Sequence, residues 1–286
     1  MKIQEFFDRD TYTLTYLVFD ETSGDAVIID PVLNFEQASG SINFSSLNTL
    51  KEFVSDRKLN VHYILETHAH ADHLSSSYYL KEHYPNAKVA IAETITEVQK
   101  VFKPVFNKPE DFPVDGSQFD VLFKDEEVIQ AGNLSFKVIF TPGHTPACSS
   151  FLFEDAVFTG DSLFMPDFGT GRCDFPAGSA DDLYNSISNK LYKLPDETRV
   201  FVGHDYQPGG RQLKFESSIG EEKKSNIHLK AETPRNEYVE MRSSRDKTLK
   251  APVLLLPSIQ VNIDAGKLPK SDRGDRLQLN IPLKIK

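Results

Sequence analysis

The chain has 286 residues, 39% of them hydrophobic and 26% charged, and a net charge of −10. That length and apolar content allow one large core or two smaller ones, and the acidic balance excludes a general nucleic-acid-binding surface. Two cysteines, Cys148 and Cys173, rule out a disulfide framework or a cysteine-rich zinc module, and both are expected as packed small residues.

Residues 1–5 have no apolar signal region, and no later run is long enough to span a bilayer. The expectation is a soluble cytoplasmic protein with no membrane partner. Tyr12, Leu14, Tyr16 and Val18 alternate with threonines, a half-buried strand pattern. A turn at 22–25 and an apolar strand at 26–29, ending at Asp30-Pro31, make this an opening hairpin. Residues 34–43 lack periodicity and are expected as loop.

Leu47, Leu50, Phe53 and Val54 predict a helix over 46–58, followed by a strand at 61–66. A second helix is predicted over 72–83, stopped by Pro85, then a strand at 88–92. Pro104, Pro109 and Pro113 mark a loop-like stretch. Strands follow at 119–123, 128–130, 134–140, 149–153 and 156–159. Leu183, Ile187 and Leu191 predict a helix within 180–194, and 199–202 is a strand. A helix is expected over 236–249, then an irregular tail rich in Pro and Leu. The succession of strands and helices, twice over, predicts two sheets packed face to face with helices outside.

Ligand-type residues gather just after the strands. Thr67-His68-Ala69-His70-Ala71-Asp72-His73 is the densest cluster, and such packing of imidazoles and a carboxylate serves neither a core nor a turn. His144 follows Pro142-Gly143, Asp161 follows Thr159-Gly160, and His204 follows Val202-Gly203. A glycine before each lets the chain turn sharply at the sheet edge. Loops held by strand ends can assemble one rigid site from distant sequence.

The order His-x-His-x-Asp-His, Gly-His-Thr, Gly-Asp, Gly-His resembles the metallo-β-lactamase-fold superfamily. That resemblance implies an α/β protein, an αββα sandwich of two packed mixed sheets with outer helices. In the dinuclear hydrolases of that superfamily one metal would take His68, His70 and His144. The other would take Asp72, His73 and His204, with Asp161 bridging.

The stretch from Thr159-Gly160-Asp161-Ser162-Leu163-Phe164 to Gly169-Thr170-Gly171-Arg172-Cys173-Asp174-Phe175 is similar to the persulfide dioxygenase branch, as is Gly203-His204-Asp205-Tyr206. The C-terminal runs 245–249 and 256–262 resemble a bacterial subgroup often labelled β-lactamase-like hydrolase or sulfur dioxygenase. The likeness covers nearly the whole chain and implies a single domain, 1–286, with 223–286 as an extension packed on the core.

The branch implies one non-haem Fe(II) per chain held by His68, His144 and Asp161, with three coordination positions left open, an arrangement suited to oxygen activation. His70, Asp72, His73 and His204 would then support those ligands or hold a second metal. The implied reaction oxidises the terminal sulfur of glutathione persulfide with O2 to sulfite and glutathione. Arg172 is the expected carboxylate anchor, and Tyr206 an expected hydrogen-bond donor near the metal. His228 stands where animal members have a glutathione-binding arginine; Lys224, Arg211 and Arg245 are the residues that would compensate. A homodimer is compatible with all of this. The alternative is a glyoxalase-II-like thioesterase or lactonase with two Zn(II). Complete ligand sets argue against a vestigial binding module.

Overall fold

The strand Thr13–Phe19 is buried along its whole length, yet its side chains separate by parity. Leu14, Tyr16 and Val18 join one apolar cluster, while Leu17 and Phe19 join another. The next strand, Asp25–Ile29, divides the same way: Val27 and Ile29 against Ala26 and Ile28. A strand buried on both faces is a strand inside a layered fold. The computed structural model, which describes residues 1–271 and 276–283, shows the layers.

One six-stranded sheet has the order β1 (Lys2–Asp8), β2 (Thr13–Phe19), β3 (Asp25–Ile29), β6 (Asn60–Leu65), β8 (Lys88–Ala92) and β9 (Val121–Phe123). The second has the order β10 (Val128–Ala131), β11 (Leu134–Phe140), β12 (Ser149–Phe153), β13 (Ala156–Phe158), β14 (Arg199–Phe201) and β15 (Glu216–Ser218). The faces between them meet in an aromatic core, with Tyr16 packed on Phe158 and Phe201, and Phe123 on Phe136 and Phe151.

Helices cover the outer faces. Leu47, Leu50 and Val54 of α1 (Ser45–Asp56) and Ile95, Val98 and Phe102 of α3 (Ile95–Val105) pack against the first sheet, beside Leu80 of α2 (Ser77–His83). Ala180, Leu183 and Ile187 of α4 (Ala180–Asn189) join the core of the second sheet. This is the expected αββα sandwich of mixed sheets.

Several elements differ from expectation. Strand β1 precedes the hairpin and pairs antiparallel with β2; its half-buried edge position leaves no clean alternation to read. Residues expected as loop form β4 (Val32–Glu36) and β5 (Ser41–Asn43), which make a small sheet with β7 (Leu74–Ser75). These are too short for periodicity and owe their form to backbone pairing. The helix expected from residue 72 starts only at Ser77, because 72–76 carry ligands and pair with β4.

The helix α3 was hidden by Pro104, which sits in its last turn and coincides with its end. After β15 come α5 (Ile219–Ser225), α6 (Arg235–Asp246) and α7 (Leu255–Asn262). The last replaces part of the expected irregular tail. Its Pro257 lies in the first turn, where backbone N–H groups have no partner within the helix. α6 packs on α4, and α7 on β7. The expected extension, 223–286, includes 272–275 and 284–286, which lie outside the described residues.

Strand direction positions the site. β3, β6 and β8 run parallel, so Asp30 and the loop after Leu65 emerge at the same edge. β11 and β13 are each antiparallel to β12, and β13 is parallel to β14. The segments leading to His144, Asp161 and His204 therefore leave their sheet in a common direction. The two edges are joined where the Leu14 N–H donates to the Gly203 carbonyl (2.9 Å) and the Tyr16 hydroxyl to the Val202 carbonyl (2.7 Å).

Candidate metal centre

All seven ligand-type residues read from the sequence converge, and Asp161 stands between the two groups. Its Oδ2 lies 3.5 Å from His144 Nε2 and 4.0 Å from His68 Nε2. Its Oδ1 lies 3.3 Å from His204 Nε2, which is in turn 3.0 Å from Asp72 Oδ2. His68, His144 and Asp161 form one compact donor set, and His70, Asp72, His73 and His204 form another.

The opposite nitrogens of these rings are tied down, which sets the tautomers. His144 Nδ1–H donates to the Arg172 carbonyl at 2.7 Å, and His73 Nδ1–H to the Leu74 carbonyl at 3.2 Å. Thr67 Oγ1 donates to Asp30 Oδ2 at 2.8 Å, so at 3.0 Å it accepts from His68 Nδ1. Each of these rings is left with its Nε2 lone pair facing inward, the form a metal requires. His70 is reversed: its Nε2–H donates to Asp30 Oδ1 at 3.0 Å and approaches Glu66 Oε2 at 3.3 Å, so Nδ1 faces inward.

The inward atoms have no hydrogen-bond partner: His68 Nε2, His70 Nδ1, Asp72 Oδ2, His73 Nε2, Asp161 Oδ1 and His204 Nε2 are all buried and unsatisfied. A buried polar atom without a partner costs about 1–3 kcal/mol. Six in one place describe a cation site, and the imidazole–carboxylate set fits a divalent transition metal. Burial, with the neighbouring imidazoles, holds His68 well below its ordinary pKa, and burial takes His73 down to about 3. Both rings are neutral and able to ligate.

Asp30 and Glu66 were not singled out in the sequence, although Asp30 ends an apolar strand just as the other ligands do. Burial alone would raise the Asp30 carboxyl, but the neighbouring His70 imidazole and the hydrogen bonds from His70 and Thr67 hold it below its usual value. Glu66 Oε1 accepts from the hydroxyls of Ser75 and Ser77. The Thr67 side chain packs against Gly160, whose φ is +49; a Cβ there would lie 2.5 Å from Thr67 Oγ1. Only glycine lets the Asp161 turn close on the His68 loop.

A cavity of about 590 Å³ opens onto the metal residues. Asp72, His144 and Asp161 line its inner end, and Tyr12, Phe164, Phe168 and Tyr206 its walls. Tyr206 stacks on His204, with ring centres 5.5 Å apart, and burial keeps its hydroxyl protonated. Arg172 lines the cavity, but its guanidinium is held by Asp174 (2.5 and 2.6 Å) and by the Lys250 carbonyl at 2.8 Å. His228 also lines it, with Nδ1 accepting from the Thr170 N–H at 3.0 Å.

Of the residues expected to compensate for His228, Arg211 is occupied by Asp167 and Asp205, and Lys224 is not part of the lining. Arg245 lines the cavity, as does the buried Arg242, which the sequence reading missed. Cys148 and Cys173 are packed as expected; burial pushes the Cys148 thiol up to about 12 and raises that of Cys173 too.

Known proteins are similar to this chain. The family model described as Metallo-beta-lactamase superfamily matches residues 8–204. "Glyoxylase B2" of Dictyostelium discoideum is 47% identical over 99% of this chain and 97% of its own length. "Beta-lactamase hydrolase-like protein" of Agrobacterium fabrum is 44% identical over 99% of this chain and 65% of its own. The human mitochondrial persulfide dioxygenase ETHE1 is 30% identical over 71% of this chain and 68% of its own. The crystal structure of ETHE1 from Myxococcus xanthus superposes with a TM-score of 0.74 at 31% identity, covering 93% of this chain and all of that one. No helix among the described residues is long and apolar enough to cross a membrane. The matched segment contains every metal-site residue, and the chain belongs to the metallo-β-lactamase superfamily.

Proposed function

We propose that this protein is a glutathione-dependent persulfide dioxygenase with one Fe(II) held by His68, His144 and Asp161. Glutathione persulfide, O2 and water would give glutathione, sulfite and two protons. The observation that carries the reading is the grouping of donors. His68, His144 and Asp161 form a two-imidazole, one-carboxylate set apart from His70, which is held by Asp30. Iron(II) bound by such a set would supply the redox chemistry of dioxygen activation.

The chain's own residues contribute orientation and exclusion of water. The Arg172 carbonyl and Thr67 hydroxyl fix the planes of His144 and His68. Tyr206 and Phe164 pack around His204 and give the inner cavity an apolar wall. The cavity is of a size that takes a tripeptide-class ligand. Kinship with human ETHE1 and the Myxococcus ETHE1 structure supports the same chemistry.

A second reading is favoured by a specific observation: the intact second set, His70, Asp72, His73 and His204. Two Zn(II) ions, one held with the help of each donor group, would suit a glyoxalase-II-like thioesterase, in keeping with the name of the Dictyostelium relative. Oxygen uptake and sulfite release by anaerobically purified, iron-loaded protein given glutathione persulfide separate the two. The dioxygenase consumes oxygen. Absent uptake, with hydrolysis of S-lactoylglutathione by the zinc-loaded protein, would overturn it.

A further inference from the structure

The seven ligand-type residues all lie before residue 205, yet one of them is aimed from much later in the chain. His144 Nδ1–H donates to the Arg172 carbonyl, so the direction of that ring depends on how residues 170–173 are held. These residues belong to no helix, and a single bridge from Thr170 to Leu163 is their only strand-like pairing. Their other backbone groups need partners from elsewhere.

A buried ion pair of α6 supplies them. Arg242 and Asp246 are 2% and 5% exposed and stand one helical turn apart. Arg242 Nε donates to Asp246 Oδ1 at 2.9 Å, and Nη2 donates to the same oxygen. The remaining atoms of the pair reach out of the helix. Arg242 Nη1 donates to the Thr170 carbonyl at 3.2 Å, and Asp246 Oδ2 accepts from the Cys173 N–H at 2.7 Å. Tyr238, one turn earlier, shares a hydrogen bond with the Thr170 hydroxyl at 2.9 Å. The segment is thus gripped at both ends. Between the grips lie the Arg172 carbonyl that holds His144, and Gly171, where a Cβ would lie 2.0 Å from the Asp161 carbonyl oxygen. The gripped segment therefore presses on two metal residues that come from different loops.

We propose that Arg242 and Asp246 are positioning residues of the metal centre, fixing the 170–173 backbone so that the Arg172 carbonyl keeps His144 Nε2 facing inward. Neither belongs to the donor sets, and both act through backbone groups. A buried ion pair adds little net stability over an apolar pair of similar volume, so its value here is that it fixes one arrangement. The planar guanidinium lets one side chain hold Asp246 and reach Thr170 at the same time. The inference goes beyond the choice of reaction, since His144 is a ligand in both readings above.

The test uses zinc-loaded protein without turnover. Arg242→Met/Asp246→Leu replaces the ion pair by apolar side chains of similar volume, an exchange that cores tolerate. Zinc affinity from chelator competition should fall about tenfold. In proton NMR of protein with nitrogen-labelled histidine, the His144 Nδ1–H should exchange with solvent faster than in wild type. Arg242→Lys keeps the charge pair but gives up the bond to Thr170. It should move both readouts less in the same direction, and it decides the question even where the double variant does not fold. Val54→Ala loosens the packing of α1 on the first sheet and should leave both readouts at the wild-type value. Wild-type affinity and exchange in either α6 variant overturn the proposal. A fall in affinity with wild-type exchange overturns it too, because His144 would still be held. An equal change in Val54→Ala would assign the effect to general loosening and likewise overturn it.

Discussion

Asn262 donates through Nδ2 to the backbone carbonyl of His73 at 2.8 Å. The same nitrogen reaches the His70 carbonyl at 2.9 Å, and Oδ1 accepts from the Ser75 N–H at 2.8 Å. The last residue of α7 thus stitches together the loop that carries four of the ligand-type residues. The Asn262 side chain replaces the backbone partners that this non-helical stretch lacks. Asn262→Leu leaves two carbonyls and an N–H unsatisfied, at a cost of about 1–3 kcal/mol in stability for each group. It also lets His70 and His73 drift, so metal affinity should fall about tenfold or more. Chelator competition measures the affinity. Affinity equal to wild type would show that α7 only packs.

The two donor sets predict unequal consequences of losing one imidazole. His144→Ala removes a member of the proposed iron triad and should bring iron from about one per chain to near zero, with activity lost in parallel. His204→Ala removes a ring that contacts Asp161 and Asp72 but stands outside the triad. It should keep most of its iron under saturating conditions, with affinity weakened about tenfold. Metal analysis of both variants is the measurement. Equal loss of iron in the two would sink the mononuclear assignment and favour the dinuclear reading.

Glu222 makes stability depend on pH from outside the metal site. It is fully buried, receives the Ser217 hydroxyl at 2.5 Å and Asn226 Nδ2 at 2.8 Å, and burial raises its carboxyl to about 8. The folded state therefore holds a proton that the unfolded chain releases near 4.5. Its contribution is fully present below 4.5 and is lost as pH rises through 8. Glu222→Gln keeps a neutral group of the same shape, so it should exceed wild type by about 1–2 kcal/mol at high pH. Urea unfolding at pH 5, 7 and 9 checks this. A difference that stays constant across those pH values would contradict the protonated carboxyl. Asn226 also donates to the Gly169 carbonyl at 3.1 Å, so this network supports the turn beneath His228.

The metal residues were legible because ligand chemistry concentrates rare residue types in short windows. His68 to His73 stood out unaided, and a glycine before His144, Asp161 and His204 marked each turn. The strands of the core were legible for a similar reason, since burial on both faces leaves an unbroken apolar run such as Ala26-Val27-Ile28-Ile29. What escaped were elements whose form depends on a distant partner. β4, β5 and β7 are held by pairing to one another, and the start of α2 is delayed by that pairing. Pro104 falls in the last turn of α3 and so marks its end but hides its body, and α7 lies within the Pro- and Leu-rich tail because its Pro257 sits in the first turn, where a missing N–H costs a helix little.

The sequence by itself determined the ligand types, their order and the two-sheet architecture, because these follow from local chemistry and from alternation along single strands. Only the tertiary structure decided which nitrogen of each histidine faces inward. That depends on acceptors from other segments: the Arg172 carbonyl for His144, Thr67 for His68 and Asp30 for His70. It also decided which arginine remains available to a ligand. Arg172 and Arg245 look alike in sequence, but Asp174 closes on the first, while the second lines the cavity with no acidic partner among the described residues, its neighbour Asp246 being held by Arg242. Charge pairing across segments sets that difference, and it arises only when the chain is folded.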